Sequence, residues 1–370
     1  MRTPPIALIV AALAGASAAA TFTVSKDGRG AFNTIQAAVD KARPHDIVEI
    51  LDTAIYNEQV TLRSPLHHLT LRSSHPSWPR KPFIRWSDNL NVGPKTCQEA
   101  LDTSKITFDR NGALRLIGVR DVRIEGIAID GANQVPFAYP SVWGNGTDCN
   151  GALFPNFHGN TGLLVYRSSQ VVISECEIAN AYFGAYIKDN DPRGPFAARG
   201  ASSTAPPFAR MASGNHFFAG NSIHHNAWGV FMESAWGLGS TFRDNLLYEN
   251  HHATPEAEAA VKAMSSEGAN QPGGAFYFKD AQHSSMAIQN NTFWHNFLEL
   301  AGGFRAGAQH LLVNNVFAAP NIAWAKDMAF PNSFMALDPY FPKRMKCNAY
   351  AGKTETPTLE TRIARASETD

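Results

Sequence analysis

Between residues 174 and 320 the chain alternates short apolar runs with polar punctuation at fixed places. Four segments align: SECEIANAYFGAYIKD (174–189), GNSIHHNAWGVFMES (220–234), QNNTFWHNFLELAGGFRAG (289–307), and DNLLYENHH joined across an insertion to GGAFYFKD. Three of them carry Asn-x-(Ile/Leu/Phe)-x-x-Asn, at Asn221 to Asn226, Asn245 to Asn250 and Asn291 to Asn296. Asn315-Val-Phe317 continues the series, and Cys176-Glu-Ile178 with Asn180 is a shortened form. Gly184, Gly229, Gly274 and Gly303 follow, each opening a short β-prone run.

Short strands with period-two alternation, recurring roughly every 20–30 residues, predict a stacked coil. A globular α/β chain would place amphipathic helices between its strands, and such helices are missing from this pattern. Asn tolerates left-handed backbone at corners, and its amide can bond to the amide in the coil above. The expected fold is all-β, a parallel β-helix. Four stretches depart from the repeat, near 88–110, 133–160, 190–214 and 253–272, and insertions of this kind commonly wall a solenoid's binding face. The solenoid is expected over 21–345, with 346–370 as a C-terminal tail.

Residues 1–20, MRTPPIALIVAALAGASAAA, read as a signal peptide, with Arg2, an apolar centre and a small-residue cleavage site. The run is too short to span a bilayer. An exported, extracytoplasmic protein with no membrane span is expected. The 32 basic and 32 acidic residues balance, so no global field points to nucleic acid, and any attraction for a charged ligand is local. A monomer is expected. Cys97, Cys149, Cys176 and Cys347 allow three pairings. Cys97 and Cys149, in polar loop-like surroundings, are the favoured pair, and Cys176 reads as core within a strand.

The repeats resemble the right-handed parallel β-helix superfamily shared by pectate lyases and pectin esterases. The start, FTVSKDGRGAFNTIQAAVDKARPHDIVEILDTAIYNEQVTL, is similar to the cap and first coils of a pectinesterase-like member. There a short capping helix, roughly Phe32 to Lys41 with Ile35, Ala38 and Val39 on one face, would close the open end of the solenoid. The resemblance extends over residues 21–320 and implies fold more than activity. The QAVAL, DFIFG and LGRPW-type stretches of pectinesterases are missing, as are the paired-Asp and GHG signatures of polygalacturonase-like hydrolases and the WiDH and RxPxxR runs of pectate lyases.

Aligned on their glycines, the coils place Lys188, Glu233, Lys279 and Arg305 in one column over roughly 15 Å, with Arg167 extending it one coil earlier. Such a column serves equally as a ladder of cross-strand ion pairs or as a grip on an acidic polysaccharide. Lys279 with Arg305 resembles the Lys/Arg pair of lyases acting on alginate and chondroitin, and QNNTF followed by GGFRAG and VNNVF is similar to their coils. The resemblance implies β-elimination of a uronic acid polymer, Lys279 taking the C5 proton and Arg305 neutralising the carboxylate. Lys188, Glu233, Asp280, Arg167 and Trp236 would bind substrate. Calcium is the implied cofactor, with Glu233, Asp280 and Asp189 as oxygen ligands, although the acidic residues usual before the lysine are replaced by Phe276-Tyr277-Phe278. The alternatives are a hydrolase using Glu233 and Asp280, or a non-catalytic carbohydrate-binding or cell-surface structural β-helix. His224, His225, Trp228, Trp236, Tyr248, His251, His252, Trp294 and His295 gather near the same coils, where flat rings suit sugars or fill the core.

Overall fold

From Ile47 onward the described strands rotate in order through three all-parallel sheets. A computed structural model describes residues 19–85, 112–131, 161–181, 183–188, 214–233, 239–250, 273–279, 286–296, 300–302, 311–318, 335–337, 345–346 and 349–351. The sheets hold ten, nine and eight strands, here called sheets 1, 2 and 3. One coil runs from Val172–Ser174 in sheet 1 through Glu177–Ala179 in sheet 2 to Phe183–Lys188 in sheet 3. The next runs through Phe217–Ala219, Ser222–His224 and Trp228–Glu233. Each strand pairs with its equivalent one coil away, which is the parallel β-helix that the repeat predicts.

Period-two alternation sends one residue of each pair inward. In sheet 1 the inner row is Val48, Leu71, Ile124, Ile173, Phe218, Phe242, Ile288 and Leu312, neighbours in register. These side chains are at most 1% exposed. Sheet 2 contributes Ile84, Ile129, Ile178, Ile223, Leu247, Phe293 and Phe317 in the same way. Phe218 stacks on Phe242 at 4.9 Å and Phe293 on Phe317 at 4.7 Å. Identical rings at strand spacing settle into the offset stacking that aromatic pairs favour.

The corners explain the asparagines. Asn221, Asn245, Asn291 and Asn315 form one buried ladder between sheets 1 and 2, each Nδ2 donating to the next Oδ1 at 2.9–3.0 Å. Asn226, Asn250 and Asn296 form a second ladder between sheets 2 and 3, at 2.8–3.0 Å. The left-handed residue is not the ladder asparagine but the one before it: Gly220, Asp244, Asn290 and Asn314 in the first ladder, His225, Glu249 and His295 in the second. The corner therefore divides its labour. One residue turns the chain, and the next fills the inside of the turn with an amide that satisfies backbone groups water cannot reach.

Cys176 heads the first ladder. It stands at the corner between two strands, not within one as expected, and its N–H donates to Asn221 Oδ1 at 3.0 Å. Its thiol is directed at the Ile124 carbonyl at 3.6 Å, as Asn221 Nδ2 is at the Ile173 carbonyl. Burial pushes the thiol up to about 11. Cys97, Cys149 and Cys347, and so the expected pairing, lie outside the described residues.

Gly184 and Gly229 have a further reason. A Cβ at Gly184 would meet the Gly229 carbonyl oxygen at 2.5 Å and Asn226 Nδ2 at 2.8 Å. The strand lies close against the ladder and the next coil's backbone there, so only a residue without a side chain fits.

At the N-terminal end, helix α1 spans Ile35–Val39 and buries Ile35, Ala38 and Val39. It is shorter than the expected Phe32–Lys41 because Thr34 caps it, while Phe32 bridges Val24 in an extended conformation. The Glu58 carboxylate accepts the Ile35 and Gln36 N–H groups at 2.8 and 3.0 Å, satisfying two of the otherwise orphaned donors of the first turn. Strand pairing continues at the other end through Met345–Lys346 and Ala349–Ala351, into the stretch expected as a tail. Among the described residues no helix is long and apolar enough to cross a membrane. Residues 1–18 lie outside them.

Candidate functional site

Sheet 3 is singled out by connectivity. The stretches near 88–110, 133–160 and 253–272 leave sheet 2 after Phe83–Arg85, Ala128–Asp130 and Leu246–Tyr248. They return into sheet 3 at Leu114–Ile117, Thr161–Tyr166 and Gly274–Lys279. The stretch near 190–214 leaves sheet 3 after Phe183–Lys188 and returns at Phe217–Ala219. All four long connections thus join the ends of sheet 3 strands, and the structures of these four stretches lie outside the described residues.

The lysine that ends each apolar run follows from alternation. In Gly274–Lys279, Phe276 and Phe278 are core residues and fully buried, so Tyr277 and position 279 fall on the outer row. The same holds in Phe183–Lys188, where Ala185 and Ile187 join the core. Register then aligns Tyr166, Lys188, Glu233 and Lys279 as consecutive neighbours. Lys188 and Lys279 are two strand spacings apart, about 10 Å, with Glu233 between them. Opposite charges in adjacent strands attract and like charges are separated, the favourable order for cross-strand pairs.

Arg167 is corrected. Tyr166, not Arg167, occupies the column beside Lys188. Arg167 comes one residue later, at the corner, exposed and left-handed with φ 49°. A slip of one residue in a strand moves a side chain off its row. Its guanidinium nevertheless lies over the Tyr166 ring at 5.0 Å, so it flanks the end of the column through that ring. Arg305, Asp280, Asp189 and Trp236 lie outside the described residues, and Glu233 and Lys279 are placed here by their backbone register alone.

Lys188 is 2% exposed although it stands on the outer row. Its Nζ donates to the Tyr186 hydroxyl at 3.4 Å and sits 5.8 Å from the centre of that ring. An ammonium withdrawn from water needs such partners.

A second row runs beside the charged one and was not read from the sequence. Leu164, Tyr186, Phe231 and Tyr277 are in register two positions earlier in the same strands. Phe231 lies 5.3 Å from Tyr186 and 5.0 Å from Tyr277, ring centre to ring centre. Phe183 packs on Phe231 at 4.4 Å and Trp228 on Tyr277 at 4.9 Å. These rings are absent from the interior cluster yet, apart from Tyr277, they are buried. The signal was available: Tyr-x-Lys, Phe-x-Glu and Tyr-x-Lys close three successive strands. Read as one apolar run, they hide the alternation that separates core from surface.

The other aromatic residues divide by sheet. Trp228 belongs to sheet 3, whereas His224, Tyr248 and Trp294 stand together on sheet 2. His251 and His252 are outside the described residues. Among those described, no three metal-ligating side chains converge.

No family model matches the chain, and no curated protein matches it in sequence. Solved structures do resemble it. A pectin methylesterase from Aspergillus niger is 11% identical over 92% of this chain and 87% of its own, with a TM-score of 0.47. A GH136 lacto-N-biosidase from Eubacterium ramulus is 12% identical over 90% and 68%, with a TM-score of 0.40. The pectin methylesterase PemA from Erwinia chrysanthemi is 12% identical over 80% and 78%, with a TM-score of 0.38. The three all-parallel sheets by themselves make the chain a parallel β-helix protein.

Proposed function

We propose that this protein is an exported enzyme that cleaves an acidic, uronic acid polysaccharide by β-elimination on the outer face of sheet 3. The observation that carries the reading is the register of Lys188, Glu233 and Lys279 beside an aromatic row. The trio has a net positive charge spread along about 10 Å, and an extended acidic polymer presents carboxylates along its length. Of the rings beside the column Tyr277 is partly exposed, and a flat ring next to charged groups suits a sugar, which offers apolar ring faces and polar edges.

In the proposed reaction Lys279, in its neutral form, takes the C5 proton of a uronate. The C–H electron pair becomes the C4=C5 double bond, the C4–O bond breaks, and the departing glycosidic oxygen takes a proton from solvent water. Arg305 neutralises the carboxylate so that the C5 proton becomes acidic. Calcium held by Glu233, Asp280 and Asp189 would assist the same neutralisation if the polymer requires it.

A second reading has one observation in its favour. Lys188 already has its head group engaged by Tyr186, as expected of a non-catalytic binding or architectural β-helix in which the column is a salt ladder.

The test is the ultraviolet absorbance of the unsaturated product on polygalacturonate, alginate and chondroitin, each with calcium and with chelator. The reading expects a rise on one polymer, lost in Lys279→Ala while the circular dichroism stays unchanged. Silence on all three polymers, or full activity in Lys279→Ala, overturns it.

A further inference from the structure

Sheet 2 carries a second accessible face that the proposed chemistry does not use. Its outer rows are Glu177, Ser222, Leu246, Thr292 and Val316, and beside them Ala179, His224, Tyr248, Trp294 and Ala318. His224 stacks on Tyr248 at 4.6 Å with planes 20° apart, and Tyr248 meets Trp294 at 6.1 Å and 39°. The row of rings stops there. The next two residues in register are Ala318 and Ala351, so one face of the Trp294 indole looks over a step made by small residues. Trp294 is 45% exposed, the most exposed large apolar residue described.

Polar groups surround this ledge in an ordered way. His295 Nδ1 lies 2.7 Å from Glu249 Oε1 at the corner beside the indole. At the other end of the row His224 Nε2 lies 3.3 Å from Glu177 Oε1. Histidine contacts of this kind fix ring orientation and leave other atoms of the same groups turned to solvent.

We propose that this face is a binding site for a neutral glycan chain, with one pyranose ring stacked on Trp294 and its hydroxyls met by His295, Glu249 and Thr292. Two observations choose this occupant. First, the five strands that form the face and their corner residues Asn180, His225, Glu249 and His295 contain no lysine or arginine. The nearest cation in the sheet, Arg85, is bonded to Asp130 at 2.8 Å. With Glu177 and Glu249 present, an acidic polymer is repelled and an uncharged one is not. Second, the exposed apolar residues Leu246 and Val316 are separated in register by Thr292. An interface core between proteins needs contiguous apolar surface, whereas alternating apolar and hydroxyl groups match the amphiphilic face of a sugar. The site is separate from the sheet 3 column and independent of its chemistry. It would hold the enzyme on a mixed polysaccharide matrix while sheet 3 works on the acidic component.

The test is isothermal titration of the full chain with cellohexaose, xylohexaose and mannohexaose, with Trp fluorescence as a second readout. At least one hexamer is expected to bind. Trp294→Ala should weaken it by about tenfold or more, equivalent to ~1.4 kcal/mol, and Trp294→Phe should restore most of the affinity. Lys279→Ala should leave it unchanged. Because Trp294 is exposed, the alanine variant keeps the core, and circular dichroism verifies that. Absence of binding by all three hexamers overturns the proposal, as does binding that Trp294→Ala does not weaken. A dimer seen by sedimentation and abolished by Trp294→Ala would instead make the face a self-association surface.

Discussion

Replacing Asn245 with Ala tests whether the corner ladders hold the solenoid together. Asn245 is 2% exposed. Its Nδ2 donates to the Phe218 carbonyl at 3.1 Å and to Asn291 Oδ1 at 2.9 Å. Its Oδ1 accepts the Asn221 backbone N–H at 3.0 Å and Asn221 Nδ2 at 2.9 Å. Truncation deletes all four bonds. The Asn221 N–H loses its acceptor, and its side-chain amide keeps only the Ile173 carbonyl. Two buried donors are left stranded at about 1–3 kcal/mol each, so the expected cost is about 4 kcal/mol. That is a large share of the ~5–15 kcal/mol that holds an ordinary domain. Urea unfolding followed by circular dichroism should show the midpoint falling by roughly 1 M or more, taking a slope of ~3 kcal/mol/M. Leu246→Ala, next in the chain and 41% exposed, is the control and should shift it by less than about 0.5 kcal/mol in equivalent energy. Equal shifts in the two variants would falsify the view that the amides, and not the strand pairs alone, carry the corners.

Three further outcomes follow from the same geometry. His216 is fully buried, and desolvation lowers its pKa from 6.5 to about 4. The unfolded chain takes up that proton near 6.5 and the folded chain resists until about 4, so this contribution is complete above 6.5 and is lost as pH falls between the two. The loss amounts to about 3 kcal/mol. His216→Asn keeps an acceptor for the Val171 N–H and should flatten that limb of a stability–pH curve; an unchanged limb contradicts the assignment. Gly184→Ala should lower the melting temperature, since the new methyl meets the Gly229 carbonyl and Asn226, at a cost of about 1–3 kcal/mol; a neutral result would mean the coils do not approach so closely there. Cys176, buried with a thiol pushed up to about 11, should resist alkylation in the native protein at neutral pH and react on unfolding. Cys176→Asn should keep the fold by extending the ladder one coil, whereas labelling of the folded chain at the unfolded rate would refute the burial.

The sequence by itself determined the coil. Asparagine recurs because each corner needs an interior amide, and glycine because the strand that follows lies against that amide and the next coil's backbone. The column of Lys188, Glu233 and Lys279 was legible because each is the charge that ends a short, otherwise apolar six-residue strand. What only the tertiary structure decided is which face each residue joins. Tyr166 replaces Arg167 in the column because the strand ends one residue earlier than its charge pattern indicates, in a left-handed corner. Cys176 passes for a strand residue until Asn221 is seen bonded to its N–H. Trp228 and Trp294, neighbours in the repeat pattern, stand on different sheets because a corner and its asparagine lie between their strands. Periodicity specifies alternation within a strand. At each corner the chain turns to a new sheet, and only the contacts between coils fix where the next side chain faces.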